Sequence, residues 1–416
     1  MCPRNLIRGT LVSRSYKRAQ GVIYLSLVLI SCVAVSYCEA GFTPLEIFEE
    51  KSETPSIKSW FNGFDKYREE LAKNHGTEFA FLLNHTQQII AKSNHDQGRS
   101  RGVGYLNLEI EQRLWPGSTV FMELETDRGV GIDKFIPTYS WFNSNSGTDV
   151  DIYIPAFYLE QNLFADKISI EAGKLDLSNW FDGSAVAGSA DTQFLSDALV
   201  DNLTLPFPLK GLGAMINFKP YEWFYLQSGA STAKASSTKT GLSDGFNSSF
   251  FISELGLSPK FLQLQGNYRF IFNMNHEKLQ RIDEEGEEDH DFGFGVSFDQ
   301  EVTKQVTLFF RYGFADEKIR DIQHFWSFGG QIAEPIPGRK LDCLGIGLAR
   351  SIMGKDYRAA NGEDAARPET MYEVYYSYSL NRFLTITPDI QIVTNPNADK
   401  TAKTAVVCGL RFLLSF

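Results

Sequence analysis

The sequence predicts an all-β protein: a transmembrane antiparallel β-barrel of about sixteen strands with a short N-terminal helix. Three observations carry this. From residue 77 onward, segments of about ten residues alternate apolar and polar side chains with period two. The connections between them sort by length, short after even-numbered segments and longer and more polar after odd-numbered ones. The chain is also polar on average (mean hydropathy −0.21) yet holds 33 Phe, 17 Tyr and 6 Trp. After the N-terminus it has no apolar run of about eighteen residues for a helical span. A wet interior and an aromatic, lipid-facing exterior reconcile these figures.

Residues 1–40 read as a signal peptide, 41–76 as an N-terminal periplasmic segment with an amphipathic helix, and 77–416 as an outer-membrane barrel. Arg4, Arg8, Arg14, Lys17 and Arg18 precede the apolar stretch 21–35, and Cys38-Glu39-Ala40 offers a cleavage site. A lipoprotein signal ending at Cys32 is the rival, disfavoured because the apolar run continues past it. Removing the signal leaves a chain more acidic than the formal −11 of the whole, which disfavours a nucleic-acid partner. Cys343 and Cys408 remain, on opposite strand parities, so no disulfide is expected. Neither they nor the six histidines show metal-ligand spacing, and no cofactor is expected.

Thr54-Pro55 reads as a helix start and Gly76 as its stop. Ile57, Trp60, Phe61, Phe64, Tyr67 and Leu71 form its apolar face. Such a helix packs against the barrel's mouth, or else serves a surface partner or lies on the membrane.

The predicted strands are 77–92, 102–114, 119–128, 151–163, 167–179, 211–219, 223–233, 246–257, 262–274, 291–302, 306–317, 325–334, 341–353, 370–380, 384–395 and 405–416. Sorting of the connections is the outer-membrane pattern of short periplasmic turns and longer outer loops, and it places both termini in the periplasm. Alternation assigns faces. Leu106, Leu108 and Ile110 point to lipid; Asn107, Glu109, Glu111 and Arg113 point to the lumen. Glu123, Glu125 and Glu160 follow, with Gln263, Gln265, Asn267, Arg269, Arg311, Glu373, Asp389, Gln391 and Arg411. Glu171 looks inward, but Lys174 breaks the parity of its strand. Sixteen strands enclose a channel too wide for side chains to fill. The connection 180–210, with Trp180, Phe181, Asp182, Phe194, Asp197, Asp201 and Phe207, is the candidate to narrow it. The glycine pairs Gly293/Gly295 and Gly345/Gly347 lie within strands and are not phosphate loops. The acidic run 283–291 reads as a solvated loop.

The stretch 328–351, FGGQIAEPIPGRKLDCLGIGLARS, resembles the carbohydrate-selective porin family in its PGR-x-x-D-x-x-G-x-G turn and strand. The block 369–396, ETMYEVYYSYSLNRFLTITPDIQIVTNP, resembles that family's E-x-x-x-E-x-Y…L-T-P-D-x-Q-x-x-x-N-P, and 409–416, GLRFLLSF, its last strand. YLEQNLFADKISIEAGKLD (158–176) is similar too, and Trp60, Gly63, Arg68, Leu71 and Gly76 match an N-terminal segment with looser spacing. The resemblance implies a sixteen-stranded barrel in the outer membrane of a Gram-negative bacterium, passing small carbohydrates passively.

A neutral sugar offers hydroxyls and apolar C–H faces, and a fast channel needs several weak sites for them. Carboxylates and guanidinium groups can hydrogen-bond the hydroxyls, and aromatic rings can stack on the C–H faces. The path candidates are Glu109, Glu111, Arg113, Glu123, Glu125, Glu160, Glu171, Lys174, Trp180, Phe181, Arg269, Arg311, Glu373, Asp389 and Gln391. The bland alternative is that inward charges pair with one another and only wet the lumen. Rival functions are a porin for other small polar solutes, an outer-membrane barrel enzyme, and a structural or adhesive surface barrel with a blocked lumen. No catalytic residue stands out.

Overall fold

The computed structural model describes residues 57–416, apart from 95, 147–148, 209, 237, 245–246, 289 and 363–365. The signal, its cleavage site and the Thr54-Pro55 helix start lie outside the described residues. Helix α1 (Ile57–His75) stops at Gly76, whose φ of 67° suits glycine and whose N–H donates to the Ala72 carbonyl at 3.2 Å.

Sixteen strands follow. They are β1 (Thr77–Lys92), β2 (Ser100–Trp115), β3 (Ser118–Gly129), β4 (Phe157–Leu163), β5 (Ile168–Leu175), β6 (Gly211–Tyr221), β7 (Phe224–Thr232) and β8 (Ser249–Leu257). The second half comprises β9 (Leu264–Asn275), β10 (Asp291–Glu301), β11 (Val306–Ala315), β12 (Ile322–Ala333), β13 (Cys343–Met353), β14 (Glu369–Ser379), β15 (Leu384–Thr394) and β16 (Ala405–Ser415). Each pairs antiparallel with its sequence neighbours, and β1 pairs with β16, closing the barrel. Closure leaves no sheet edge with unpaired backbone groups, the condition for a strand protein in lipid.

The period-two reading holds on both faces. Outward Ile346 and Phe272 are 52% and 51% exposed, whereas inward Arg311, Arg411 and Glu373 are at 0%. Apolar outside and charged inside is the reverse of a water-soluble fold, and a hydrocarbon surround accounts for it. Cys343 points inward and Cys408 outward, and both are free thiols.

Several expectations need correction. The fourth strand starts at Phe157 rather than at 151; the residues before it are linked to β3 by a bridge between Tyr153 and Glu125 and by the Glu123 and Asp127 amides, which donate to the Ala156 and Val150 carbonyls. The sorting of connections breaks at the turn 334–342, which is longer than the connections 93–99 and 316–321. The acidic run is only partly a solvated loop. Leu279–Gln280 and Glu287–Glu288 form a small hairpin, and Asp291 starts β10, 1% exposed and ion-paired with Arg320 at 2.5 Å.

From Phe64 onward α1 rests on the seam. The Phe64 ring meets Phe79 and Phe416 at 5.6 and 5.7 Å, and Arg68 lies over Phe79. Those rings have the lipid-facing parity, so the helix packs on the outer side of the short-turn rim. Tyr67, expected on the apolar face, is 56% exposed.

The core lies inside the barrel. Connections 130–156 and 176–210 both fold inward, where Ile132, Phe142, Phe194 and Leu199 pack against inward Ile90, Phe309, Phe325, Ala349 and Val407. A second cluster joins Leu177, Phe181 and Leu205 to Met215, Phe250, Ile252 and Ile271.

Candidate functional site

The long connection 176–210 is bolted to one part of the wall by charged side chains. Glu373 on β14 accepts from the Leu195 and Ser196 amides at 2.5 and 2.9 Å, and from Gln391 on β15 at 3.0 Å. Arg311 on β11 donates to the Leu199 and Asp182 carbonyls at 2.8 and 3.0 Å and pairs with the Asp182 carboxylate at 3.2 Å. Arg411 on β16 donates to Ala190 and Gln193 carbonyls. Asp299 on β10 accepts from Ser184 and the Ala185 amide, and Glu254 on β8 from the Asp182 amide. The two inward connections also bind each other, through Ser144 N–H to the Leu195 carbonyl and Ser196 Oγ to the Ser140 carbonyl.

Glycines seat the connection. A Cβ on Gly347 would lie 2.9 Å from Leu199 and Phe194 carbons, and one on Gly313 would lie 2.0 Å from Thr204 Oγ1. Within the connection, α2 (Asp197–Val200) brings the half-buried Asp197 and Asp201 together. Burial, then the neighbouring Asp197, pushes the Asp201 carboxyl up to about 8, against the pull of Arg311. Burial likewise lifts Asp182 to about 6.

A different surface faces the lumen on β2 to β5. Glu109 and Glu111 are exposed, and Glu123, Glu125 and Glu160 half-buried. Register sets Glu109 beside Glu123, and Glu160 beside Glu171. Lys210 approaches Glu125 at 3.6 Å, and Arg113 pairs with Glu78 at the short-turn end. Three rings lie among these carboxylates. Phe121 on β3 stacks on Tyr158 of β4 at 4.8 Å, and Tyr158 meets Trp180 of the connection edge-on at 5.4 Å.

The candidate residues therefore divide. Glu109, Glu111, Arg113, Glu123, Glu125, Glu160 and Trp180 lie around this open face. Arg311, Glu373, Gln391 and Phe181 are at most 1% exposed, and Asp389 3%, so all five are buried away from the open face. Glu171 is 4% exposed and accepts from Ser169. Arg269, inward on β9, is committed to Asp299 at 2.8 Å. Lys174 has the parity of outward Phe157, and its ammonium donates to the Ile154 carbonyl at 2.6 Å. Gln263, expected inward, belongs to the turn before β9 with φ of 68°. Phe121 and Tyr158 were missing from the candidates. Their parity with Glu123 and Glu160 gives them away; reading the aromatics as a lipid-facing girdle hides them.

The carbohydrate-selective porin, OprB family matches residues 106–416. The chain belongs to this family. Among curated relatives it is similar to porin AaxA of Chlamydia felis, 21% identical over 60% of this chain, and to porin AaxA of Chlamydia pneumoniae, 22% identical over 69%. The chain spans 55% and 64% of the length of those two proteins. In fold it is similar to Pseudomonas putida OprB at high pH, with a TM-score of 0.74 and 17% identity over 85% of this chain and 97% of that one. A mutant Rh. blastica porin aligns at 0.53 and 10% identity over 82% of this chain and 100% of that one. OprB-family membership and the closed barrel place the protein in the outer membrane of a Gram-negative bacterium and point to a channel rather than an enzyme.

Proposed function

We propose that this porin lets small sugars diffuse along the open face of β2 to β5, with the inward connections narrowing the lumen from the opposite side. The observation that carries the reading is the strip Phe121–Tyr158–Trp180 flanked by Glu109, Glu111, Glu123 and Glu160. Rings offer C–H stacking and carboxylates accept from sugar hydroxyls, each weakly enough for a solute to move on. The long connections face the exterior and both termini the periplasm, in keeping with the loop sorting. The wall's excess of carboxylates favours a second reading, a porin for other small polar solutes, cationic more readily than anionic.

The test is single-channel current through purified protein in planar bilayers. Glucose and maltose reduce the current saturably on the sugar reading. If neither does so at any concentration, that reading fails.

A further inference from the structure

The carboxylates of the open face sit where they strain the sheet. Register sets Glu109 of β2 opposite Glu123 of β3, and Glu160 of β4 opposite Glu171 of β5. Like charges directly opposite on neighbouring strands are destabilising, and this wall carries two such pairs. The nearby cations are engaged. Arg113 pairs with Glu78, Lys210 with Glu125 at 3.6 Å, and the Lys174 ammonium donates to the Ile154 carbonyl at 2.6 Å. Among the described residues, none forms an ion pair with Glu109, Glu111, Glu123, Glu160 or Glu171. Glu171 is 4% exposed; one of its oxygens accepts from Ser169, and the other, Oε2, is buried beside Glu160 with no hydrogen-bond partner. A buried carboxylate oxygen without a donor is costly, and a cationic donor entering between the two glutamates relieves it. The aromatic strip belongs to the same place. The Tyr158 hydroxyl lies within electrostatic reach of Glu160, Glu171, Glu111 and Glu109, and its ring stacks on Phe121 and meets Trp180.

We infer that the solute this face takes best is an amino sugar, a pyranose bearing a protonated amine. This rests on the reading of the face as a sugar path and narrows its substrate class. A neutral sugar stacks on the rings but leaves the carboxylate charge uncompensated. A small ammonium ion compensates the charge but leaves the rings unused. A hexosamine does both: its C–H face lies on the strip, and its ammonium offers three donors to Glu160 and Glu171. Charge-assisted hydrogen bonds are roughly twice as strong as neutral ones, so the amine is favoured over the hydroxyl it replaces. Glu109 and Glu111 are exposed, where ion pairs are weak, so the attraction along the rest of the face still lets the solute move on.

The experiment compares four blockers of the single-channel current at constant ionic strength and about pH 6, where an amine of this kind is protonated. They are glucosamine, N-acetylglucosamine, glucose and ethanolamine. Glucosamine half-blocks at a concentration about tenfold below that of each of the other three. In Glu160→Gln the advantage of glucosamine over glucose shrinks at least about threefold. Heat-modifiable mobility in SDS reports whether the variant has folded; should it not fold, the four blockers on the unaltered protein decide. Equal block by glucosamine, N-acetylglucosamine and glucose overturns the amino-sugar inference and leaves the sugar path standing. Ethanolamine blocking as tightly as glucosamine overturns it as well, because the pyranose ring then adds nothing. A folded Glu160→Gln that keeps the whole advantage overturns the placing of the amine between Glu160 and Glu171. Failure of glucose and every other sugar to block overturns the sugar path itself, and the amino-sugar inference with it.

Discussion

Glu373 on β14 and Glu111 on β2 are both inward glutamates on a lipid-embedded wall, and their circumstances differ entirely. Glu373 is at 0% exposure, holding two loop amides and a glutamine; Glu111 is open to the lumen. The same contrast runs along the wall. Positions on β8 to β16 carry charge that binds backbone, so a long connection is fixed in place. On β2 to β4, Glu109, Glu111, Glu123 and Glu160 carry charge left exposed or half-buried, the surface proposed for solute. Inward polarity in a barrel thus has two physical uses. One organises the plug, with desolvation offset by hydrogen bonds, and the other keeps a path wet.

The contrast breaks most sharply at Arg311. Replacing it with Met leaves the Asp182 carboxylate buried without its cation, costing the docked connection about 3–5 kcal/mol. The barrel still migrates as a folded species in SDS, while proteolysis cuts within 176–210 and single-channel conductance rises and becomes noisy. Unchanged protease resistance would mean that the connection is held by its apolar seats alone.

Next in size is a pH effect on the same connection. Asp201 has a folded-state pKa of about 8 against an ordinary 3.8. Its folded form therefore binds more protons than the unfolded one between these values, and stability falls as pH rises through that window. The connection is held more firmly at pH 5 than at pH 8, measured as protease susceptibility of 176–210. Asp201→Asn flattens the slope.

On the open face the effects are functional. Tyr158→Leu removes the middle ring of the strip and weakens sugar block of the current about fivefold, roughly 1 kcal/mol, with thermal stability in SDS little changed. The smallest structural effect comes from Glu109→Gln/Glu111→Gln. Stability stays within about 0.5 kcal/mol, since both are exposed, while the cation-to-anion permeability ratio from reversal potentials falls severalfold.

The barrel was legible in the sequence because strand periodicity is local: Leu106, Leu108 and Ile110 against Asn107, Glu109 and Glu111 state their faces within a few residues. Strand number, closure and the inward fold of 180–210 follow from repetition and loop length. Parity tells that Arg311 and Glu373 point inward, but not that a loop then covers them. That depends on pairings such as Leu195 with Glu373, 178 residues apart, which no local pattern records. A signal did exist in the strand glycines. Gly313 and Gly347 are inward and empty where a side chain would normally fill the wall, and those gaps are the loop's seats. In sequence the Gly345/Gly347 spacing says only that no phosphate loop is present, and Gly313 carries no pattern at all.

The central claim is that solute meets β2 to β5 and not the plugged wall. Thiol accessibility tests it most directly. In a Cys343→Ser/Cys408→Ser background, single substitutions Glu109→Cys, Glu111→Cys and Tyr158→Cys are compared with Ser327→Cys, an inward position on β12 at 0% exposure. A charged, membrane-impermeant thiol reagent is added during single-channel recording. The account predicts that it reacts at the first three positions and reduces the current, and leaves Ser327→Cys untouched. Rapid block through Ser327→Cys, with the β2 to β4 positions unreactive, would contradict it.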